Sequence, residues 1–289
     1  MRRLFAFGCS YTDYSFLTYA DLLATSFDYY QNYGKSGCSN EYIFTKFIEA
    51  VSTVNFTKDD TVVIMWSESF RHSPYVTDAG YLGSHRGDSP YWIEKYGLNW
   101  EGEILSPEMS VIKSLTVMIA ALEILKSLGV NYRMCFMSRS ADVVTADFSN
   151  KNNHVADYRM VEFKFRNLDV LQSIQEKIKS YPNIIYYTPN QEQRLQEQKG
   201  FTVKYENGLY VGDNHPTPAI GVAWLKKTMP ELIKDERKLN NIVNVFEQLE
   251  KKYTEYEYIN LSLDYFNEYN ALRCQLLNNG NNIWPNQMI

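Results

Sequence analysis

Short apolar runs alternate with amphipathic stretches along most of the chain. A continuous apolar run that ends at a glycine or a polar residue is typical of a buried parallel strand. Five such strands are predicted, at residues 4–7, 28–33, 61–66, 131–137 and 183–187. Apolar residues at helical spacing predict core helices at residues 14–26, 41–54, 109–128, 168–180 and 216–233. This alternation predicts an α/β fold, a three-layer flavodoxin-like parallel sheet of about five strands.

Two long irregular stretches interrupt the alternation, at residues 70–107 and 138–154. Both are rich in polar residues, and the first also carries many aromatic side chains. Loops of this length inside a compact domain usually serve as lids or binding loops. We therefore expect these two insertions to select the ligand of the protein.

The pattern changes after residue 233. Two charged amphipathic helices follow, near residues 239–253 and 259–277, and no catalytic residue types lie between them. We expect a main α/β domain at residues 1–233 and a C-terminal helical appendage at residues 234–289. The appendage would pack on the domain or on a second subunit.

Composition narrows the class of protein. The 289 residues carry a net charge of −5 without a basic stripe, which argues against a nucleic-acid partner. The four cysteines form no metal-spaced cluster, so we expect no metal site and a reducing compartment. The apolar run at the N-terminus is too short for a signal peptide, and no run approaches the ~20 residues of a membrane span. We expect a cytoplasmic protein with no membrane partner.

Residues suited to acyl-transfer chemistry fall where the predicted strands end. Ser10 follows the first strand, and a turn containing Gly37 follows the second. Asp213 and His215 come near the end of the predicted main domain. A serine hydroxyl needs a base such as His to take its proton, and that His needs a partner to fix its tautomer. Because ligands bind at the carboxyl ends of parallel strands, we expect these residues to converge there.

With these motifs the chain resembles the SGNH (GDSL-like) hydrolase superfamily over roughly residues 3–230, and within it a phage-type branch with a Gly-Cys-Ser turn. The resemblance implies that Ser10 is the nucleophile, His215 the base and Asp213 its orienting partner. It implies that the backbone N–H groups of Ser10 and Gly37 form the oxyanion hole. It requires no cofactor.

The turn after the third strand departs from the family pattern. The family supplies an Asn side chain to the oxyanion hole at this point, whereas this chain has Trp66-Ser67-Glu68-Ser69. We expect Ser67, or else Ser69, to donate in its place. Trp66, Glu68 and Arg71 are expected to contact substrate, with Arg71 stabilising negative charge and an ionised Glu68 opposing it. The Asp also precedes the His by two residues rather than the family's more usual three.

Each candidate also has a plainer interpretation. Ser10 could cap a helix that starts near Asp13, because Ser is a common helix cap. His215 could be a helix-start residue, and Asp213 could form only a cap or an Asx-turn.

The sequence leaves two main hypotheses for function. The first is a serine esterase or O-deacetylase that acts on an ester, for example an acetylated glycan, or transfers the acyl group to a sugar hydroxyl. The second is a non-catalytic structural or binding protein on the same scaffold, for example a phage virion component. The missing Asn and the 23 Tyr favour the second hypothesis. The C-terminal helices would then mediate a homo-oligomer or assembly into a virion.

Overall fold

The structure is a computed structural model, and it describes a defined part of the chain. The described residues are 1–14, 17–69, 71, 75–76, 80–81, 107–149, 166–196, 202–204, 210–212, 215–255, 258–260 and 263–278. Most of the first insertion, the end of the second and the tail after residue 278 lie outside them.

Strands and helices alternate along the described residues, as the apolar pattern predicts. The strands are β1 (Arg3–Gly8), β2 (Tyr29–Asn32), β3 (Thr61–Trp66), β4 (Tyr75–Val76), β5 (Gly80–Tyr81), β6 (Asn131–Phe136), β7 (Ile184–Ile185), β8 (Thr202–Lys204), β9 (Tyr210–Gly212), β10 (Thr254–Glu255) and β11 (Tyr258–Asn260). The helices are α1 (Tyr19–Ala24), α2 (Asn40–Thr53), α3 (Pro107–Leu128), α4 (Leu168–Lys179), α5 (Pro189–Leu195), α6 (Pro218–Thr228), α7 (Glu236–Lys252) and α8 (Leu263–Asn278).

A five-stranded parallel sheet forms the centre of the molecule, in the order β2-β1-β3-β6-β7. This is the flavodoxin-like order, in which the first strand lies between the second and the third. Helices α2, α3 and α4 pack together as one group, and α1, α5, α6 and α7 as another. The predicted three-layer α/β fold is therefore confirmed. The order reverses between β1 and β3, and at such a reversal a doubly wound sheet opens a crevice for ligands.

Helix boundaries differ from the predictions where a cap decides them. The first core helix was expected from residue 14, but α1 begins only after Thr18, whose hydroxyl accepts from the Asp21 N–H. The Asp21 carboxylate in turn accepts from the Thr18 N–H at 3.0 Å, which completes a capping box. The last core helix likewise begins after the Thr217 cap and ends at Thr228. The cap thus shortens the first helix, whereas the last helix is shortened mainly at its C-terminal end, where Pro230 begins a separate 3-10 helix (Pro230–Leu232).

The C-terminal segment shares its packing with the rest of the chain. Apolar residues of α7, among them Leu239 and Phe246, belong to the same core cluster as the sheet. Strand β11 pairs in parallel with β8, in a small sheet ordered β10-β11-β8-β9 that the sequence analysis did not predict. The segment after residue 233 therefore packs on the main fold, while a domain boundary at that point stays a prediction.

Among the described residues, no helix is both long and apolar enough to cross a bilayer.

Candidate active site

Ser10 lies in a tight turn at the carboxyl end of β1. The Cys9 carbonyl accepts from the Thr12 N–H at 2.8 Å and from the Asp13 N–H at 3.0 Å, so residues 9–13 form one helical turn. Gly8 permits this turn because a Cβ there would lie 2.0 Å from the Thr12 Oγ1 and 2.9 Å from the Met65 carbonyl oxygen. Ser10 itself is 4% exposed.

The helix cap that the sequence allowed for Ser10 belongs to another residue. Thr18 caps α1, and the Thr18 hydroxyl also donates to the Thr12 carbonyl at 2.9 Å. The capping interpretation of Ser10 is therefore wrong, because α1 starts well after the Ser10 turn. The Thr18 bond instead attaches the start of α1 to the end of that turn.

The glycine turn after β2 is held directly against the Ser10 turn. The Asn32 side chain donates to the Thr12 carbonyl at 2.8 Å and accepts from the Gly34 N–H at 2.8 Å. The Lys35 N–H donates to the Gly8 carbonyl at 3.0 Å. Gly37 has a φ of 72°, in the left-handed region that favours glycine. No acceptor among the described residues receives the Gly37 N–H, and Gly37 is not one of the residues that line the pocket of Ser10.

The side chain of Asn40, at the start of α2, holds the turn after β3 through hydrogen bonds to the Ser67 backbone. The Asn40 Oδ1 accepts from the Ser67 N–H at 2.8 Å, and its Nδ2 donates to the Ser67 carbonyl at 3.1 Å and to the Ser114 hydroxyl at 3.0 Å. All these groups are buried. An Asn side chain is therefore present near this turn, but its amide forms hydrogen bonds with the backbone of Ser67 and with Ser114.

Two expected site residues of this turn face the core instead of a ligand. Ser67 is 0% exposed, and its hydroxyl lies 3.5 Å from the Met137 sulfur. Trp66 is also 0% exposed, and its indole N–H meets no hydrogen-bond acceptor in the described part of the chain. Both strand faces here are covered by helices, so these side chains enter the core. The Ser67 hydroxyl and the Trp66 ring thus face the core, and oxyanion donation by Ser67 and substrate contact by Trp66 stay predictions.

Residues just beyond this turn are partly accessible. Glu68 and Arg71 form an ion pair with 3.5 Å between the Glu68 Oε2 and the Arg71 Nε, and their side chains are 18% and 17% exposed. The hydroxyl of Ser69, the alternative oxyanion donor, is buried without a hydrogen-bond partner among the described residues. Substrate contacts of Glu68 and Arg71 stay predictions.

His215 is held between two tyrosines of the N-terminal segment. Its ring stacks on Tyr14, with ring centroids 3.9 Å apart and an interplanar angle of 18°. The Tyr11 ring also contacts the imidazole, with ring centroids 5.1 Å apart and an interplanar angle of 46°. The Tyr11 hydroxyl donates to the Asn190 side chain at 2.7 Å, and burial raises the pKa of Tyr11. Asp213, the expected partner of His215, lies outside the described residues.

Ser10 and His215 line one pocket, which connects the end of β1 to the start of α6. The empty space between its walls is about 370 Å³, which includes the open solvent at its mouth, and most of the walls are aromatic or apolar. Its lining residues are Ser10, Tyr11, Tyr14, Leu17, Thr18, Tyr19, Pro189, His215, Pro216, Thr217 and Gly221. The sequence analysis missed the tyrosines of this wall, although their position directly after Ser10 was a usable signal.

The described residues hold no group of three His, Cys, Asp or Glu side chains placed to bind a metal ion.

The fold is similar to those of solved bacterial proteins. One is a member of the lipolytic protein G-D-S-L family from Veillonella parvula, at 13% identity and a TM-score of 0.39, covering 80% of this chain and 99% of the other. Another is a GDSL-like lipase from Bacteroides thetaiotaomicron, at 15% identity and a TM-score of 0.37, covering 80% of this chain and 86% of the other. No protein-family model and no curated protein matches the chain.

Proposed function

We propose that this protein is a serine ester hydrolase in which Ser10 is the nucleophile and His215 the general base. One observation carries the proposal: the two side chains, far apart in sequence, line the same pocket, which lies between the carboxyl end of β1 and the start of α6. A serine beside a histidine in a concave, mostly apolar site is the arrangement that covalent acyl transfer requires. The Gly-Cys-Ser turn supports the SGNH assignment, and membership of a phage-type branch is part of the proposal.

The reaction follows from the roles of these groups. His215 takes the proton of the Ser10 hydroxyl as the Ser10 Oγ attacks the ester carbonyl, forming a tetrahedral oxyanion. The intermediate collapses when His215 returns that proton to the alcohol leaving group, which departs from an acyl-serine. A water molecule then attacks the acyl-serine with the same base, releasing the carboxylic acid and restoring Ser10. Asp213 orients the imidazole in this scheme.

The oxyanion hole of the proposed enzyme consists of backbone donors. The N–H groups of Ser10 and Gly37 would bind the developing negative charge, and the positive φ of Gly37 sets the direction of its N–H. A third donor from the Ser67 side chain is missing, because that hydroxyl faces Met137. Since one donor is worth about 10²–10³ in rate, we expect slow hydrolysis compared with a three-donor site.

A small acyl ester fits the site best. Tyrosine rings and prolines line the pocket of the nucleophile and offer few polar partners, which favours a short apolar acyl group over a long or polar one. We propose an acetyl ester, with an O-acetylated glycan as the substrate class. Transfer of the acetyl group to a sugar hydroxyl uses the same residues, and detection of free acetate against acetylated sugar separates the two reactions.

The second candidate is a non-catalytic binding protein on this scaffold. The inward-facing Ser67 hydroxyl favours it, because an oxyanion hole with one donor fewer is what a lost activity would leave. In this version the C-terminal helices would mediate assembly, either as a homo-oligomer or in a virion.

Labelling with a fluorophosphonate probe tests the proposal. Wild type should be labelled on Ser10, identified by peptide mass spectrometry, and labelling should vanish in Ser10→Ala and fall sharply in His215→Gln. Ser36→Ala is the matched control, since Ser36 is an exposed serine of the neighbouring glycine turn. Absence of labelling in a well-folded wild type would contradict the enzyme and favour the binding protein.

A further inference from the structure

Arg273 of α8 reaches across the molecule to the segment that follows Ser10. Its Nη1 donates to the Tyr14 carbonyl at 3.0 Å, and its Nη2 donates to the Asp21 carboxylate at 3.1 Å. The same Nη2 lies 3.5 Å from the Asp13 Oδ1. Arg273 is 8% exposed and the Asp21 side chain 0% exposed, so this is a buried charged cluster.

Burial makes the arginine essential to the cluster. The buried Asp21 carboxylate and the Asp13 carboxylate, whose side chain is 28% exposed, oppose each other, and the guanidinium lies within 3.5 Å of both. Burial raises the pKa of Asp13 to about 6, while the Arg273 charge acts in the opposite direction. Removing one partner of such a cluster is costly, because it leaves an uncompensated buried charge.

Two short paths lead from this cluster to the site. On the first, Arg273 holds the Tyr14 carbonyl, and the Tyr14 ring stacks on His215 at 3.9 Å. On the second, Arg273 holds Asp21, Asp21 binds Thr18 in the capping box, and the Thr18 hydroxyl binds the Thr12 carbonyl in the Ser10 turn. One side chain from the C-terminal helix therefore contacts the supports of both the nucleophile and the base.

We propose that Arg273 is a positioning residue that sets His215 relative to Ser10 through Tyr14 and Asp21. As a statement about catalysis the inference rests on the proposed function, but the positioning itself does not. A guanidinium suits this role because separate nitrogens donate to a carbonyl and to a carboxylate at once. A lysine offers one nitrogen and cannot hold both partners in the same geometry. The C-terminal helical segment thus becomes part of the site rather than an attachment to it.

The experiment compares Arg273→Lys, which keeps the charge, with Arg273→Met and with Lys252→Met. Lys252 forms an ion pair with Glu268 between α7 and α8, so its replacement weakens a different contact of α8 without removing any bond to Tyr14 or Asp21. Far-ultraviolet circular dichroism and thermal unfolding establish which variants are folded. Arg273→Lys keeps the test decisive if Arg273→Met fails to fold.

The first readout is fluorophosphonate labelling, with the rate at saturating probe separated from the probe affinity. Small misplacements of catalytic groups lower rates strongly, so Arg273→Lys should lose roughly ten- to a hundredfold in the saturating rate with little change in affinity. Lys252→Met should label like wild type. In a Tyr14→Leu background the Arg273→Lys change should cost much less, because residues that act in series are not additive.

The second readout does not require activity. The chain has four His, so the His215 imidazole resonances can be assigned by nuclear magnetic resonance from their loss in His215→Gln. Stacking on Tyr14 gives these resonances a ring-current shift, which should decrease in Arg273→Lys and stay unchanged in Lys252→Met. A folded Arg273→Lys protein with unmoved His215 resonances would overturn the proposal. If wild type fails to label while the resonances move in Arg273→Lys, the enzyme proposal fails and the positioning stands.

Discussion

Tyr14 and His215 stack face to face, with ring centroids 3.9 Å apart. This contact contributes about 0.5–1.5 kcal/mol beyond the area that the two rings bury. It also restricts rotation of the imidazole. Tyr14 lines the pocket that holds Ser10 and His215, whereas the lining residues in the described part of the chain include none from the turn after β3.

Two substitutions of Tyr14 distinguish the contribution of its ring from that of its hydroxyl. Tyr14→Phe keeps the stacked ring, so the labelling rate should stay within about threefold of wild type, whereas Tyr14→Leu should lose roughly fivefold because a stacked aromatic contact is worth about 1 kcal/mol. Saturating labelling rates measure both effects. Equal losses in the two variants would mean that the hydroxyl, and not the stacking, carries the effect.

A Cβ at Gly37 should damage the oxyanion hole as well as the backbone. Because the φ of Gly37 is 72°, Gly37→Ala should destabilise the fold by about 1–2 kcal/mol and reduce the labelling rate by tenfold or more as the N–H moves. Gly129→Ala is the matched control. Its φ is 66°, a Cβ there would meet no atom within 4 Å, and it ends α3 away from the pocket. Urea unfolding should show similar losses for both, while only Gly37→Ala should label slowly.

Removing the Asn40 amide should loosen the turn after β3. Asn40→Ala leaves the Ser67 N–H, the Ser67 carbonyl and the Ser114 hydroxyl without their buried partner, which should cost roughly 2–4 kcal/mol of unfolding free energy. Ser114→Ala removes one of these three bonds and should cost about 1 kcal/mol. Urea unfolding gives both values. A similar loss in the two variants would contradict a role of Asn40 in holding the turn.

Glu250 on α7 should make stability depend on pH. Burial raises the pKa of Glu250 to about 8 from an ordinary value of 4.5, and repulsion from Glu247 adds to the rise. The buried tyrosines Tyr265 and Tyr269 of α8 interact electrostatically with Glu250. The folded protein therefore keeps a proton that the unfolded chain releases. Its stabilising effect is complete below pH 4.5 and is lost as the pH rises through about 8.

Glu250→Gln isolates this effect, because the amide stays neutral at every pH. The variant should gain stability relative to wild type as pH rises from about 5 to about 8, at up to ~1.4 kcal/mol per pH unit. Urea unfolding at several pH values measures the difference. Glu247→Gln should shift the same transition to lower pH by removing the repulsion. A stability difference that does not change with pH would show that Glu250 is ionised in the folded protein.

Buried strands were the most predictable part of the fold. Strand β3 has the predicted bounds, because an unbroken apolar run between Asp60 and Ser67 has one conformation that buries all of it. The first helix was predicted too long because the prediction followed the apolar spacing and did not use the capping box of Thr18 and Asp21. This capping box can be recognised from the sequence.

Side-chain direction was the least predictable part of the site. In a strand buried on both faces no alternation shows which way a side chain points, so Trp66 and Ser67 were assigned to the ligand when both face the core. The contact of Arg273 with Asp21 depends on where α8 packs, and no local pattern reports that.

The pairing of β11 with β8 joins two parts of the chain that are made at different times during synthesis. Strands β8 and β9 lead directly into the segment that carries His215, yet the β11 neighbour of β8 is made only after α7. The nascent chain can assemble the central sheet and the Ser10 turn early, while the His215 segment waits for its final support. Partial chains released before that point would carry the nucleophile and an exposed β8 edge, which makes them candidates for aggregation and not for catalysis.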